Sequence, residues 1–247
     1  MECFIVNADD VSDEHSSLTL RGDEAKHCAR ALRIRVGEQI LATDLIGKCY
    51  KATLEHIDDL GKQGYEVRAT IDEVLPRHNE PNLNILLIQA VLHTPAKFEE
   101  IVERCTEIGI SAFMPIKTTR VERPTIKVDR IEKILRAACK QAQRASKPTL
   151  SELSDFETAL GAAVADKRTI VLLHETAKLE HSLNAVLVKE QSKNIALVIG
   201  PEGGFTEEEV SLARDTYGAH IASMGARRLR AETAAITAAA ITLGFDR

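Results

Sequence analysis

The sequence predicts two domains, a β-rich first part and an α/β second part with a mainly parallel sheet, and three observations predict it. Short β-type runs punctuated by glycine fill residues 1–74, a polar stretch carrying two prolines follows, and beyond it apolar runs alternate with helical patterns. A length of 247 residues suits two domains, which cluster near about 100–150 residues each.

In the first part the β-type runs are Cys3–Val6, Leu18–Leu20, Gln39–Thr43, Cys49–Ile57 and Tyr65–Val74. Gly37, Gly47, Gly61 and Gly64 mark turns, and Asp23–Leu32 has helical spacing. Many short strands with such punctuation fit a small β-barrel or a sandwich. The linker reads Leu75-Pro76-Arg77-His78-Asn79-Glu80-Pro81-Asn82. The domains are therefore placed at 1–74 and 75–247.

In the second part the strand candidates are Leu83–Ala90, Ile110–Ile116, Thr169–Leu173, Ile195–Ile199 and His220–Met224, each followed by a helical pattern. Phe98, Ile101, Val102, Cys105 and Ile108 form one apolar face, with Pro95 suited to the first turn and Gly109 to the position past the end. A helix is predicted over 127–146. Lys133, Arg136, Lys140, Arg144 and Lys147 fall within an arc of roughly 80° on it, opposite Val128, Ile131, Leu135, Ala138 and Ala142.

Hydrophobic residues make up 44% of the chain and charged residues 28%, the range of a folded globular protein. No apolar run reaches the roughly 18–20 residues of a membrane span, and acids stand near the start where a secretory signal has a basic end. A cytoplasmic protein without membrane contact is expected. The five cysteines are scattered and never spaced C-x-x-C, which argues against a disulfide framework and a structural zinc site. A net charge of −5 argues against nucleic acid, yet the charge is segregated. From Lys117 to Lys147 ten Lys/Arg face three acids, so this segment carries +7 and the remainder −12. A smaller cluster, Arg21, Lys26, Arg30, Arg33 and Arg35 against Asp23 and Glu24, adds +3. A solvated charged face accounts for such a stripe, and so does an anionic partner; phosphates respond to local charge within a screening length of about 10 Å.

The strongest local motif is Ile199-Gly200-Pro201-Glu202-Gly203-Gly204-Phe205-Thr206-Glu207-Glu208-Glu209, a buried strand running through a glycine-rich turn into a helix. Thr206 and Glu209 are spaced as a capping box. Ligands of open α/β sheets bind beyond the carboxyl ends of strands, although a turn without a ligand has the same pattern. Neither G-x-x-x-x-G-K-[ST] nor G-x-G-x-x-G is present. Glu202 and three acids opening the helix oppose a polyphosphate, so a ligand without phosphates fits better; an adenosyl group with a sulfonium cation is one such ligand, and composition alone does not select it. A second strand–turn–helix motif is Met224-Gly225-Ala226-Arg227-Arg228-Leu229-Arg230-Ala231-Glu232-Thr233-Ala234-Ala235. Arg227 and Arg228 read as surface or phosphate contacts; Arg230 and Glu232 read either as site residues or as a salt bridge at the helix start.

Together the two motifs resemble the SPOUT class of RNA methyltransferases. Within it the chain is similar to the ribosomal RNA small subunit methyltransferase E family, which methylates N3 of a uridine in 16S rRNA. The similarity runs nearly the whole length, through His27-Cys28-Ala29-Arg30-Ala31-Leu32-Arg33, Val36-Gly37-Glu38, Lys97 to Ile110, Pro115, Gln141 and Arg144 to the two motifs. Arg104, Ala137 and Arg228 depart from that pattern. The resemblance implies a PUA-like β-barrel followed by a trefoil-knotted α/β domain, and a homodimer acting on 16S rRNA within the small ribosomal subunit. It implies S-adenosylmethionine held by Leu173 and His174, by Gly200, Glu202, Gly203 and Gly204, and by Met224, Gly225 and Leu229. From their location beside the glycine-rich turn, Arg230 and Glu232 are expected at the reaction, Arg230 stabilising charge on the uridine ring, with Glu232 or Glu202 as base. Arg30, Arg33, Arg120, Arg136 and Arg144 are expected on RNA phosphates. A nucleotide-phosphate enzyme and a non-catalytic RNA-binding assembly factor are the competing readings.

Overall fold

The computed structural model describes residues 1–122 and 124–246; Arg123, one of the cations of the basic segment, lies outside the described residues. The chain forms two compact units, Met1–Glu80 with Arg136–Lys147, and Pro81–Leu135 with Pro148–Arg247.

The first unit is one five-stranded sheet made of β1 (Cys3–Ile5), β2 (Ser17–Leu20), β3 (Gln39–Thr43), β4 (Lys48–Asp59) and β5 (Tyr65–Pro76), in the order β1-β3-β4-β5-β2. All pairings are antiparallel except β1 with β3. Register shifts between Lys51 and Ala52 and between Leu54 and His56 disrupt the long β4–β5 ribbon, the device by which bulges bend and twist a sheet. Phe4, Leu18, Leu20, Ile40, Leu54 and Val67 fill the core on one face, following the period of two. The predicted helix over Asp23–Leu32 is shorter and irregular. A single turn, α1 (Gly22–Lys26), passes into a π-type turn over His27–Ala31 that is closed by the Leu32 N–H donating to His27 O at 3.0 Å.

Residues 136–147 belong to this unit, so the division differs from a cut after residue 74. Thr43 Oγ1 donates to Arg144 O at 2.8 Å and Gly47 N to Ala145 O at 2.9 Å, contacts between segments a hundred residues apart. The helix over 127–146 also ends early. α3 spans Val128–Gln141, Gln143 takes φ 54, and the Arg144 N–H turns back to Cys139 O at 2.9 Å. The arc of five cations is thus broken after Lys140.

The second unit is a seven-stranded parallel sheet. Its strands are β6 (Asn84–Ala90), β7 (Ala112–Lys117), β8 (Thr149–Leu150), β9 (Ser154–Asp155), β10 (Thr169–Leu173), β11 (Asn194–Ile199) and β12 (His220–Ala222). They run in the order β12-β10-β11-β6-β7-β8, with β9 also on β7. Both faces are covered, as a parallel sheet requires. Ile85 and Leu87 point to one cluster, with α2 (Pro95–Ile108), the first half of α3, α5 (Leu183–Glu190) and α7 (Ala231–Leu243). Leu86 and Ile88 point to the other, with α4 (Phe156–Ala165) and α6 (Glu207–Asp215). Pro95 stands in the first turn of α2, and Gly109 ends that helix at φ 125, where an added Cβ meets Leu243 Cδ1 at 3.2 Å. Ile110 is absorbed into that helix end through its N–H to Cys105 O, so β7 starts later than the apolar run.

Candidate active site

Parallel order brings the carboxyl ends of β10, β11 and β6 side by side, with β12 next to β10. A pocket of about 430 Å³ opens there, within the range of ligand sites. Most of its wall comes from the turns after Leu173, Ile199 and Ala222, with Lys97 and Arg120 added from two other stretches of the chain.

The turn after β11 is held from several directions. Gly204 N donates to Pro201 O at 2.9 Å, and Gly204 has φ 71. A Cβ on Gly200 would sit 3.2 Å from the Phe205 ring, which is itself packed on Phe156 with centroids 5.2 Å apart. Thr206 caps α6 through the Glu209 N–H at 3.2 Å and Glu209 Oε2 accepts from the Thr206 N–H at 2.8 Å, the reciprocal box that the spacing predicts. The buried Glu209 does more than cap. Its Oε1 accepts from the Thr119 N–H at 2.9 Å and from the Thr119 hydroxyl at 3.1 Å. Beside this tether Arg120 donates to Gly203 O, so the loop after β7 is docked on the glycine-rich turn. Glu202 accepts from the His93 N–H at 3.2 and 3.4 Å with its two oxygens, fixing the loop between β6 and α2.

The other two turns are tied to each other. His174 N donates to Ala222 O at 3.0 Å, and Ser223 N to His181 O at 2.9 Å. Gly225, at φ 104, donates its N–H to Ser223 Oγ at 3.0 Å. The Ser223 N–H and C=O are taken by His181 O and the Leu183 N–H, and β12 stops at Ala222 rather than Met224. Glu175 pairs with Arg228 at 3.1 Å, and His174 Nδ1 lies 2.8 Å from Thr176 Oγ1.

Leu173, His174, Gly200, Glu202, Gly204, Met224, Gly225 and Leu229 all line the pocket. Gly203 does not; its carbonyl serves Arg120. Arg230, the residue before α7, lines the pocket with an exposed guanidinium and has no ion pair among the described residues. Glu232 stands two residues further on, is not part of the lining, and meets Lys97 Nζ at 3.5 Å rather than Arg230. Lys97, from the first turn of α2, reaches the pocket wall, as do Phe205, Ser223, Ala231 and Ala234. The flanks of the two motifs point to Phe205 and Ala231; nothing local to Lys97 points to its place here. Cations exceed acids in the lining, and both lining carboxylates are engaged, Glu175 by Arg228 and Glu202 by the His93 N–H.

Of the cations expected on RNA, Arg30, Arg33 and Arg136 are exposed in the first unit and Arg120 is exposed beside Gly203 in the second. Arg144 requires a correction. It is 2% exposed, and its Nη2 lies 2.6 Å from Glu80 Oε2, so the guanidinium is an internal tie and not a phosphate contact. No group of His, Cys, Asp and Glu suited to a metal ion occurs among the described residues, and no described helix is long and apolar enough to cross a membrane.

Residues 79–243 match the family model of the RNA methyltransferase domain, and residues 20–62 that of the RNA methyltransferase PUA domain. Ribosomal RNA small subunit methyltransferase E of Synechocystis sp. is 32% identical over 91% of this chain and 72% of its own length. The enzyme of the same name from Mycobacterium bovis is 30% identical over 96% of this chain and 90% of its own. The crystal structure of ribosomal RNA small subunit methyltransferase E from Neisseria gonorrhoeae bound to S-adenosyl methionine superimposes with a TM-score of 0.80. It is 26% identical and covers 99% of this chain and 97% of its own. A Legionella pneumophila protein solved in complex with the cofactor SAM gives 0.76 at 27% identity, over 98% and 96%.

Proposed function

The chain belongs to the ribosomal RNA small subunit methyltransferase E family and is an enzyme that methylates small-subunit ribosomal RNA from S-adenosylmethionine; from that premise we propose that its target atom is N3 of a uridine in 16S rRNA. The observation that carries this reading is the pocket at the ends of β10 and β11, walled by three turns whose backbone is pinned by Phe205, Glu209 and Ser223.

The residues present fit the cofactor. Gly200 leaves little room for a Cβ, and the turn presents backbone there, as recognition of an adenosyl group by amide and carbonyl groups needs. Leu173, His174, Gly200, Glu202, Gly204, Met224, Gly225 and Leu229 are assigned to hold it, with Gly203 supporting the turn through Arg120. The bound sulfonium supplies an electrophilic methyl group. Neutral N3–H is a poor nucleophile, and its proton must leave as charge spreads to the ring oxygens. Arg230 is always cationic and offers several donors, so its role is to stabilise that charge.

Arg30, Arg33 and Arg136 are assigned to phosphates, being exposed and single-signed; Arg120 is assigned first to the turn it holds. A homodimer is supported by α7, whose apolar residues are spread around the helix and which leaves Ile236 and Leu243 only half buried, a surface that suits coverage by a second copy. A trefoil knot is supported by the sheet order, in which the chain returns to β12 beyond β10 before α7 packs on α2 and β11. The assembled small subunit in the cytoplasm is the proposed setting of the reaction.

The test is methylation of small-subunit RNA with labelled S-adenosylmethionine, followed by mass spectrometry of the nucleosides. The expected product is one 3-methyluridine, with calorimetric binding of S-adenosylmethionine and none of ATP. A methyl group on carbon, on a ribose oxygen or on another base overturns the assignment of N3. RNA binding without transfer favours an assembly factor instead.

A further inference from the structure

We propose that Lys97 is the group that takes the proton from the target nitrogen, with Glu232 behind it as the positioning residue and final proton acceptor. This rests on the reading of the pocket as a methyl-transfer site with an N–H nucleophile.

Three observations lead here. Lys97 lines the same pocket as Arg230, although it comes from α2, more than a hundred residues away in sequence. Its Nζ lies 3.5 Å from Glu232 Oε1, and the Glu232 side chain is 13% exposed. Glu232 Oε2 is buried with no hydrogen-bond partner, an unspent acceptor at a place where burial without a partner is costly. That carboxylate has an oxygen without a partner, but it is not itself part of the pocket wall. Lys97 touches both, lining the pocket and meeting Glu232.

The other candidates are tied to the turns. Glu202 faces the His93 N–H with both oxygens, Glu175 pairs with Arg228, and His174 Nδ1 lies on Thr176 Oγ1; among the described residues none of them has a buried acceptor behind it to take a proton onward. Arginine does not deprotonate in proteins, which removes Arg120, Arg227, Arg228 and Arg230 as bases. Lys97 can both donate and accept once a neighbour relieves it of a proton.

The step balances as follows. The N3–H proton passes to Lys97 Nζ as one Nζ proton passes to Glu232 Oε1. The N3 electron pair forms the new N–C bond, and the methyl–sulfur bond breaks with its pair going to sulfur, leaving a neutral thioether. The lysine ends charged, as it began, and Glu232 carries the proton until solvent removes it. Contacts of this kind reach full hydrogen-bond length once the substrate is in place.

The test combines cofactor titration with single-turnover rates on small-subunit RNA across pH. Lys97→Met is expected to bind S-adenosylmethionine within about threefold of wild type and to react on the order of a hundredfold more slowly. Its rate should climb about tenfold per pH unit toward ionisation of the uridine, where the wild type rises less, because solvent must then remove the proton. Lys97→Arg, which keeps charge but cannot deprotonate, should be as slow as Lys97→Met, and ethylamine should restore Lys97→Ala. Glu232→Gln should be slow alone, and adding it to Lys97→Met should cost little more. A rate for Lys97→Met within threefold of wild type overturns the inference, as does full activity of Lys97→Arg. Loss of cofactor binding in Lys97→Met also overturns it, since Lys97 would then be a cofactor contact. If wild type leaves its methyl group on an atom that carries no proton to lose, the N3 reading fails first, and nucleoside analysis of the wild-type product reports that separately.

Discussion

Gly200 and Arg144 mark the limits of what a single residue type reveals. A glycine in a strand-to-helix turn advertises close approach, and at Gly200 the approach is to the Phe205 ring, 3.2 Å from where a Cβ would be. Phe205 is buried against Phe156, so in Gly200→Ala the ring or the turn must give by a few tenths of an ångström. That overpacking costs about 1–3 kcal/mol. Calorimetric titration should therefore find S-adenosylmethionine affinity lowered by about tenfold or more, each tenfold being about 1.4 kcal/mol. An unchanged affinity would mean that the turn does not touch the cofactor. Arg144 carries the opposite lesson. Helical spacing puts it on a basic stripe, but nothing near it in sequence announces Glu80, whose carboxylate takes its guanidinium and also the Ser146 N–H at 2.8 Å. Arg144→Ala leaves that carboxylate buried without its cation and should cost about 3–5 kcal/mol in urea denaturation, whereas Arg136→Ala on the exposed face should cost less than about 0.5 kcal/mol.

At the scale of elements, periodicity and capping chemistry carry most of the information. β3 and β10 coincide with their apolar runs, and α6 begins where the Thr206–Glu209 spacing places it. What local pattern misses is the second use of a residue. Glu209 closes the capping box with one oxygen and holds Thr119 with the other, and Thr119 is 90 residues distant. The π-type turn at His27–Ala31 and the left-handed Gln143 are equally silent, because each answers packing by chain that is remote in sequence. The double duty of Glu209 has a measurable consequence. Thr206→Ala removes one cap contact and should cost about 1 kcal/mol. Glu209→Ala also strands the Thr119 amide and should cost about 1–3 kcal/mol beyond that. It should weaken cofactor binding as well, since the loop bearing Arg120 loses its tether to the turn; Thr206→Ala should leave affinity nearly intact. Equal effects of the two substitutions on affinity would separate the loop from the pocket.

For the whole molecule, strands and helices are legible one by one, but their order is not. The pocket exists because β12 lies beside β10, and β10 beside β11, a neighbourhood set by crossovers and not by any stretch of sequence. The grouping of residues 136–147 with the first sheet has the same origin, in hydrogen bonds from Thr43 and Gly47 to a segment a hundred residues later. One property does follow from composition once burial is known. All five cysteines are buried, and burial pushes the thiols of Cys28, Cys49 and Cys139 up to about 11 and those of Cys3 and Cys105 up to about 12. The folded chain thus keeps protons that the unfolded chain gives up near pH 9, the ordinary thiol value. Stability from this source is complete below pH 9 and is lost as pH rises through 11, by up to about 1.4 kcal/mol per pH unit for each thiol. Urea midpoints should be level from about pH 7 to 8.5 and fall steeply between 9 and 11, with Cys105→Ala falling less steeply than wild type. A thiol reagent at pH 8 should label almost nothing in the native protein and all five positions once it is unfolded. Rapid labelling of any one cysteine in the folded state would show that its part of the core opens far more readily than its packing implies.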